Sequence, residues 1–330
     1  MNDKNWSEGV ARWAVKYSAK LTYAEAREAL LELAQIEISD NSVWRLTQHW
    51  GEALKRVEAQ EDERANGTVE SQATGKVEAK SDVRLGASMD GTMIYIRGEA
   101  WKELKVGCFF EVEPAPTLDP ETMDWIDLAH ARKNTFVSHL GGPETFGQKM
   151  WTESKRRCWH NAVDTQVVGD GAVWIWNLVS RYYPNAVQIV DWYHAEEHLE
   201  TVAAAAFADP QERSRWLEDV TQSLWEGQVE LVINACQVLA SSCSEAHKAA
   251  NYFYTNAERM RYDRFRSAGF MIGSGSVESA CKQIVTQRLK LPGAQWIVPG
   301  AVQTAKARAA WLSGHWQFLC DQRSASPLAI

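Results

Sequence analysis

The chain has 330 residues, of which 45% are hydrophobic and 24% are charged, so it is long and apolar enough for two or three domains around a sizeable core. Its six cysteines form no CxxC pair, which argues against a zinc knuckle, and no stretch reaches the roughly 18 apolar residues of a membrane span. The net charge of -8 argues against nucleic acid as a partner of the surface as a whole.

Residues 1–56 have the pattern of short helices. Thr22 and Glu25 form a capping box ahead of an apolar stripe, and a second helix is predicted to begin near residue 40. Two short helices with a tight break resemble a helix-turn-helix, in which Arg45 and Gln48 would contact DNA from the exposed face. A plain helical hairpin that packs or dimerises is the alternative.

Residues 57–83 contain no aromatic residue, and this composition predicts a flexible linker. The pattern then changes to strands and helices over residues 84–199. Three strands at 88–96, 103–112 and 135–140 suggest an antiparallel meander, and two apolar strands ending in acids, at 166–171 and 186–191, each precede a helix. Three antiparallel strands followed by two parallel ones is the order of a ribonuclease H-like mixed sheet of the α/β class.

The C-terminal part is predicted to be helical throughout. Residues 200–271 show only helical periodicity and are interpreted as an all-helical insertion into the sheet domain. Residues 272–330 return to the core with further helices, and Glu278 lies in the first turn of the first of these. The chain also carries no secretion signal, so we expect a cytoplasmic protein with reduced cysteines and no membrane partner.

Three acids form the main candidate site. Asp90 lies on the first strand and Asp170 ends the fourth, and these strands are neighbours in the predicted order. Glu278 would reach the same point from a helix across the sheet. Converging carboxylates need cations to neutralise them, and hard oxygen ligands suit Mg²⁺ or Mn²⁺, here two ions that support in-line phosphoryl transfer. An Asp beside a Gly is more often only a turn former, so this pattern alone does not settle the chemistry.

A second cluster comprises Asp191, His194 and His198. The two histidines lie one turn apart on one helix face, which would suit a zinc site. The interpretation that we favour is an Asp–His hydrogen bond that supports the edge of the main site. Lys282, one turn after Glu278, could offset the charge of that carboxylate or touch phosphate.

Basic residues concentrate near the C-terminus, where residues 251–330 hold ten Lys and Arg against four Asp and Glu. A local basic face can bind phosphate on an acidic protein, although solvated helix faces show the same imbalance. The candidate DNA-backbone contacts are Arg259, Arg261, Arg264, Arg266, Arg288 and Lys290.

The order of these motifs resembles the ISKra family of bacterial insertion-sequence transposases over about residues 20–317. The resemblance rests on Ser-Met-Asp-Gly at 88–91, Val-Gly-Asp-Gly-Ala-Val-Trp-Ile-Trp-Asn at 168–177, Val-Asp-Trp-Tyr-His-Ala-Glu-Glu-His-Leu at 190–199, Ile-Gly-Ser-Gly-Ser-Val-Glu-Ser-Ala-Cys-Lys at 272–282 and Gln-Arg-Leu-Lys-Leu-Pro-Gly-Ala-Gln-Trp at 287–296. It implies a DDE triad of Asp90, Asp170 and Glu278 in a ribonuclease H-like core with a helical insertion.

The resemblance further implies a nucleoid-associated enzyme that acts on double-stranded DNA at transposon ends and at the target. A homodimer on DNA is expected, because two element ends must be handled together. Two alternatives stay open: an endonuclease of the same fold without strand transfer, and a non-catalytic DNA-binding regulator derived from a transposase.

Overall fold

The computed structural model describes residues 6–66, 81–118 and 125–325. Five strands form one mixed sheet in the order β3-β2-β1-β4-β5. Strands β1, β2 and β3 are antiparallel, whereas β4 is parallel to β1 and β5 is parallel to β4. The predicted α/β class and the predicted neighbourhood of the first and fourth strands are confirmed. The strands are β1 (Leu85–Ile96), β2 (Ala100–Leu118), β3 (Trp125–Leu140), β4 (Thr165–Gly169) and β5 (Val187–Val190).

Strands β2 and β3 are longer than their sequence pattern predicts. They pair from Leu104 with Leu140 as far as Leu118 with Trp125, while β1 pairs with β2 only between Leu85/Glu111 and Ile96/Ala100. Pro114 and Pro116 therefore lie in the part of β2 that pairs with β3 alone. The other edge of β2 has no partner strand there, so the N–H group that proline lacks is not needed on that edge. Those prolines made the strand look shorter in the sequence.

The side chains of β1 alternate between two cores. Met89 packs into a core with Phe109, Val167 and the helices of one face, while Ile94 packs into a second core with Val106 and Val277 on the other. Because side chains two residues apart share a face of a strand, Asp90 lies on the face of Ile94. This face is covered by the C-terminal helices.

Helices surround the sheet and supply the rest of the fold. The capping box of Thr22 and Glu25 is confirmed at the start of α2. Lys282–Thr286 is a π-helical turn between α11 and α12. The described helices are α1 (Glu8–Ser18), α2 (Tyr23–Ala34), α3 (Asp40–Asn66), α4 (Pro143–Arg156), α5 (Val173–Tyr182), α6 (Trp192–Ala206), α7 (Pro210–Trp225), α8 (Val229–Leu239), α9 (Ser244–Asn256), α10 (Tyr262–Ser267), α11 (Gly275–Cys281), α12 (Gln287–Leu289), α13 (Val298–Leu312) and α14 (Trp316–Ala325).

Helix α3 overturns part of the predicted linker. It has 27 residues and continues through residues 57–66, which pack on α4. Lys149 donates to Asp62 Oδ2 at 2.9 Å, and Trp151 Nε1 donates to the Ala65 carbonyl at 3.1 Å. The aromatic partners lie on α4, so the composition of this stretch alone gave no sign of packing. Residues 67–80 of the predicted linker lie outside the described residues.

The segment predicted as an all-helical insertion is helical, and its two ends meet at the sheet. Helices α7 to α10 fill residues 210–267. Tyr262 donates its hydroxyl to the Val190 carbonyl at 3.0 Å, and the Trp192 N–H donates to the Ile272 carbonyl at 2.9 Å. The chain therefore returns from the insertion to the point where it left β5. No described helix is long and apolar enough to cross a membrane.

Candidate active site

Asp90 is half-buried between β1 and α11. Its Oδ1 accepts the N–H of Gly91 at 2.6 Å, and its Oδ2 lies 3.4 Å from the thiol of Cys281, which donates to it. On the same strand, the Ser88 hydroxyl lies 3.3 Å from the Ser276 hydroxyl of α11. Both oxygens of Asp90 are therefore oriented, one by its own strand and one by the helix above it.

Asp170 directly follows β4, the parallel neighbour of β1. Its Oδ1 accepts the N–H of Ala172 at 2.9 Å, and its carbonyl accepts the hydroxyl of Tyr252 at 2.9 Å. Gly171 turns the chain with φ +96°, a left-handed conformation that favours glycine. This tight turn holds Asp170 at the carboxyl end of the strand.

The two aspartates share one electrostatic environment. Burial raises the pKa of Asp90, and the charges of Asp170 and Glu103 raise it further, while hydrogen bonds from Gly91 and Cys281 lower it. Carboxylates that repel one another in this way favour a proton or a cation between them. The parallel pairing of β1 with β4 puts Asp90 and Asp170 at the same end of the sheet.

Glu278 approaches from the first turn of α11 and is exposed to solvent. Its Oε1 lies 3.0 Å from the hydroxyl oxygen of Ser274, whose one proton either Glu278 or Asp191 can accept. One turn further on, Cys281 has its pKa raised by burial and by Asp90, with a smaller contribution from Glu278. The same helix therefore carries both Glu278 and the thiol that contacts Asp90.

Asp191 supports this region, but through a serine instead of a histidine. The carboxylate is only 2% exposed and accepts the N–H of Tyr193 at 2.8 Å as the cap of α6. Its other oxygen accepts the N–H of Ser274 at 3.1 Å and the Ser274 hydroxyl. The predicted hydrogen bond to His194 is wrong, because both Asp191 oxygens accept bonds from Tyr193 and Ser274 and His194 Nδ1 lies beside Glu197 instead.

His194 and His198 pack with Tyr252 near Asp170. The rings of His198 and Tyr252 are 4.0 Å apart, and those of the two histidines 5.1 Å. Burial lowers the pKa of His198, and His194 lowers it further. His194 Nδ1 lies 3.5 Å from Glu197 Oε2. The two histidines therefore form an aromatic edge with Tyr252, which sequence reasoning missed as a site residue.

Two lysines flank the acids on the C-terminal helices. Lys282 is exposed, and it begins the π-helical turn, a feature often found at functional sites. Lys290 is also exposed, and its Nζ donates to Thr92 Oγ1 at 2.7 Å, two residues beyond Asp90 on β1. Both remain candidates for contact with phosphate.

Arg288 is a core residue, and its predicted role in DNA binding is wrong. It is 3% exposed, and its Nε donates to the Ser18 carbonyl at 2.9 Å. Its guanidinium lies about 5 Å from the ring centroids of Tyr23 and Trp296, at 5.1 and 5.0 Å. The π-helical turn that precedes it changes the helical phase, so Arg288 faces the N-terminal helices while Lys290 faces solvent.

Most of the arginine run is also engaged within the protein. Arg259 donates to Gln188 Oε1 at 2.8 Å, Arg261 pairs with Glu230 at 2.6 Å, and Arg266 lies 3.6 Å from the centroid of the Trp225 ring. These three hold the insertion together, which corrects their predicted role as a DNA-backbone face. Arg264 is exposed and keeps that prediction.

Arg45 and Gln48 are half-buried on α3, not fully exposed as predicted. Arg45 donates to the Ser42 hydroxyl at 3.3 Å. Gly51, on the same helix, lies directly against the side chain of Gln303 in α13. The packing of α3 on the C-terminal helices therefore partly covers Arg45 and Gln48, and their contact with DNA stays a prediction.

The three acids are of the right residue type to bind a divalent metal, but their side chains are not oriented toward one shared ion. Carboxylate oxygens suit Mg²⁺ and Mn²⁺, and the raised pKa of Asp90 indicates a site that gains from a cation. In the described part of the chain, however, no group of three His, Cys, Asp or Glu side chains stands ready to hold a metal ion. Asp90, Asp170 and Glu278 each use an oxygen on a neighbouring donor, and would have to turn to share one ion.

Comparison with known proteins leaves the family open. No protein-family model matches the chain, and no curated protein matches it. The assignment of function therefore depends on the residues and their geometry.

Proposed function

We propose that this protein is a DDE-type DNA transposase of the kind suggested by its motifs, with a ribonuclease H-like core and a triad of Asp90, Asp170 and Glu278. The observation that carries the proposal is that Asp90 and Asp170 each lie two residues beyond Ser88 and Val168, the last paired residues of the adjacent parallel strands β1 and β4. Support for Glu278 comes from α11, which bonds Asp90 through Cys281.

The three carboxylates would hold Mg²⁺ or Mn²⁺, as two ions, and bound metal would stabilise the charge that develops during phosphoryl transfer. The chain's own residues orient the acids. Gly91 and Cys281 direct Asp90, Ala172 directs Asp170, and Ser274 directs Glu278. In Asp170 and Glu278 the donor meets one carboxylate oxygen, whereas both oxygens of Asp90 accept a bond, so Asp90 would have to turn to ligate an ion.

The proposed partner is double-stranded DNA. Lys282 and Lys290 lie beside the acids and are exposed, so they offset the negative charge that would otherwise repel phosphate. Arg264 adds a positive charge on the insertion. A homodimer on DNA belongs to the proposal, because a transposase joins two ends.

The experiment is a cleavage assay on a supercoiled plasmid that carries the DNA flanking the gene on both sides. Asp90→Asn, Asp170→Asn and Glu278→Gln should each abolish Mg²⁺-dependent cleavage. Removal of a group that stabilises the transition state typically lowers kcat by about 10²–10³-fold or more. DNA binding by these variants should be largely retained. Adding a DNA fragment with a free 3′-hydroxyl end should give joined products.

The matched control variants are Asp219→Asn and Glu32→Gln, because both side chains are exposed and lie on helices away from the site. They should cleave as the wild type does. Full cleavage by any triad variant would remove that acid from the site. Cleavage without joined products would instead identify an endonuclease of this architecture.

A further inference from the structure

The helical insertion contacts the proposed site through Tyr252 of α9. Its hydroxyl donates to the carbonyl of Asp170 at 2.9 Å, across 82 positions of sequence. Its ring also covers Gly171, where an added Cβ would lie 2.7 Å from Tyr252 Cε2. One tyrosine therefore contacts both residues of the turn that presents the Asp170 carboxylate.

We propose that Tyr252 is a positioning residue that holds the Asp170–Gly171 turn, so that the insertion sets the orientation of the Asp170 carboxylate for DNA cleavage. This inference rests on the proposed function for its catalytic consequence. The restraint of the Asp170–Gly171 turn by Tyr252 does not depend on any activity and can be measured without one.

The turn is restrained at several points, and Tyr252 supplies the restraint from outside the sheet. The Gly169 carbonyl accepts the N–H of Asp191 at 2.8 Å, which fixes the end of β4. The Asp170 side chain accepts the N–H of Ala172 at 2.9 Å, which closes the turn locally. The Asp170 carbonyl between them is held by the Tyr252 hydroxyl. Without that donor, the peptide that follows Asp170 would lose its contact with the insertion.

Tyr252 is itself well anchored. Its neighbour Phe253 is fully buried in the main core, and Ala249 and Ala250 of the same helix are buried with it. The ring of His198 lies 4.0 Å from its own ring on the other side. A side chain with so little freedom can transmit the position of α9 to the turn.

The experiment compares Tyr252→Phe with Tyr254→Phe. Tyr252→Phe keeps the ring and removes only the hydroxyl, whereas Tyr254 is 74% exposed on the same helix and serves as the matched control. Two measurements are made on the full chain: kcat and KM for Mg²⁺-dependent plasmid cleavage, and hydrogen exchange of residues 169–173. Tyr252→Phe should lower kcat about tenfold to a hundredfold with KM unchanged, because a small misplacement of a reacting group has that effect.

Exchange in residues 169–173 should become roughly tenfold faster in Tyr252→Phe and should stay at the wild-type rate in Tyr254→Phe. Wild-type exchange in Tyr252→Phe would overturn the proposal, even with reduced cleavage, because the hydroxyl would not then restrain the turn. Unchanged kcat with faster exchange would overturn its catalytic half. If Tyr252→Phe did not fold, Gly171→Ala, which forces the turn and the ring apart, would be held to the same two expectations.

Failure of the proposed function gives a different result. If the wild-type protein shows no metal-dependent cleavage, the transposase proposal fails, and the exchange rates alone decide whether Tyr252 restrains the turn.

Discussion

Asp191 links the end of β5 to the loop before α11, and its removal should destabilise the protein strongly. In Asp191→Ala, α6 loses its N-terminal cap, because the N–H of Tyr193 loses its acceptor. The N–H and the hydroxyl of Ser274 lose the same carboxylate as their acceptor. Ser274 is buried, so water does not readily replace the carboxylate there. The substitution therefore removes a helix cap and leaves a buried donor without a partner.

The magnitude follows from these two losses. A lost helix cap costs about 1 kcal/mol, and a buried N–H left without an acceptor costs about 1–3 kcal/mol. We therefore expect Asp191→Ala to lower the free energy of unfolding by roughly 2–4 kcal/mol. The control is Asp209→Ala, since Asp209 also caps a helix, accepting the Glu212 N–H at 3.2 Å, but is exposed. That variant should lose about 0.5–1 kcal/mol.

Urea unfolding followed by tryptophan fluorescence and by circular dichroism measures both variants against the wild type. Equal losses in Asp191→Ala and Asp209→Ala would refute the reasoning, because burial and the bridge to Ser274 would then contribute nothing. A loss below about 1 kcal/mol in Asp191→Ala would refute it as well, since a cap alone accounts for that much.

The remaining predictions concern Asp90, Arg288 and Ser274. Burial raises the pKa of Asp90, so the folded protein binds more protons than the unfolded one between the two pKa values, and stability falls as the pH rises through that window. At a pH above that window, Asp90→Asn should therefore raise the free energy of unfolding by about 0.5–2 kcal/mol, measured by thermal unfolding. Stability equal to or below that of the wild type would contradict this expectation. Arg288→Ala should lower the free energy of unfolding by roughly 2–4 kcal/mol. It should leave the slope of DNA affinity against salt concentration unchanged, whereas Lys290→Met should lower that slope by about one. A reduced slope in Arg288→Ala would restore Arg288 as a DNA contact. Ser274→Ala should reduce kcat for cleavage while Ser274→Thr, which keeps a hydroxyl, recovers it, and equal rates in the two variants would show that the hydroxyl has no effect on Glu278.

Elements whose signals are local could be predicted from the sequence. The Thr22–Glu25 capping box and the strand that carries Asp90 depend on residues a few positions apart, and both are present in the structure. Strand order followed from the sequence of elements, and it placed Asp90 next to the strand of Asp170.

What could not be predicted depends on partners distant in sequence. The end of α3 is stabilised by Lys149 and Trp151, more than 80 positions away. Arg288 looked like a surface cation because nothing in its own helix shows that Ser18 would lie against it. A run of arginines has the same composition whether it binds phosphate or, like Arg261 with Glu230, pairs within the fold.

The candidate site shows the same division. Asp90 and Asp170 stood out by residue type and strand order, and Glu278 mainly by the family resemblance, but the residues that orient them did not stand out. Ser274 and Cys281 lie within the motif around Glu278, where their chemistry could have been noticed. Tyr252 had no such signal, because only the packing of α9 on the turn after β4 brings it to Asp170.

The most direct test of the central claim is cleavage of the protein backbone by Fe²⁺, which replaces Mg²⁺ at oxygen-ligand sites and, with ascorbate and peroxide, cuts the chain near the bound ion. The account predicts cuts at three separate segments, around Asp90, Asp170 and Glu278, which excess Mg²⁺ suppresses and Asp170→Asn weakens at all three. Cuts confined to one of these segments, or placed elsewhere in the chain, would contradict a single metal site built from the three acids.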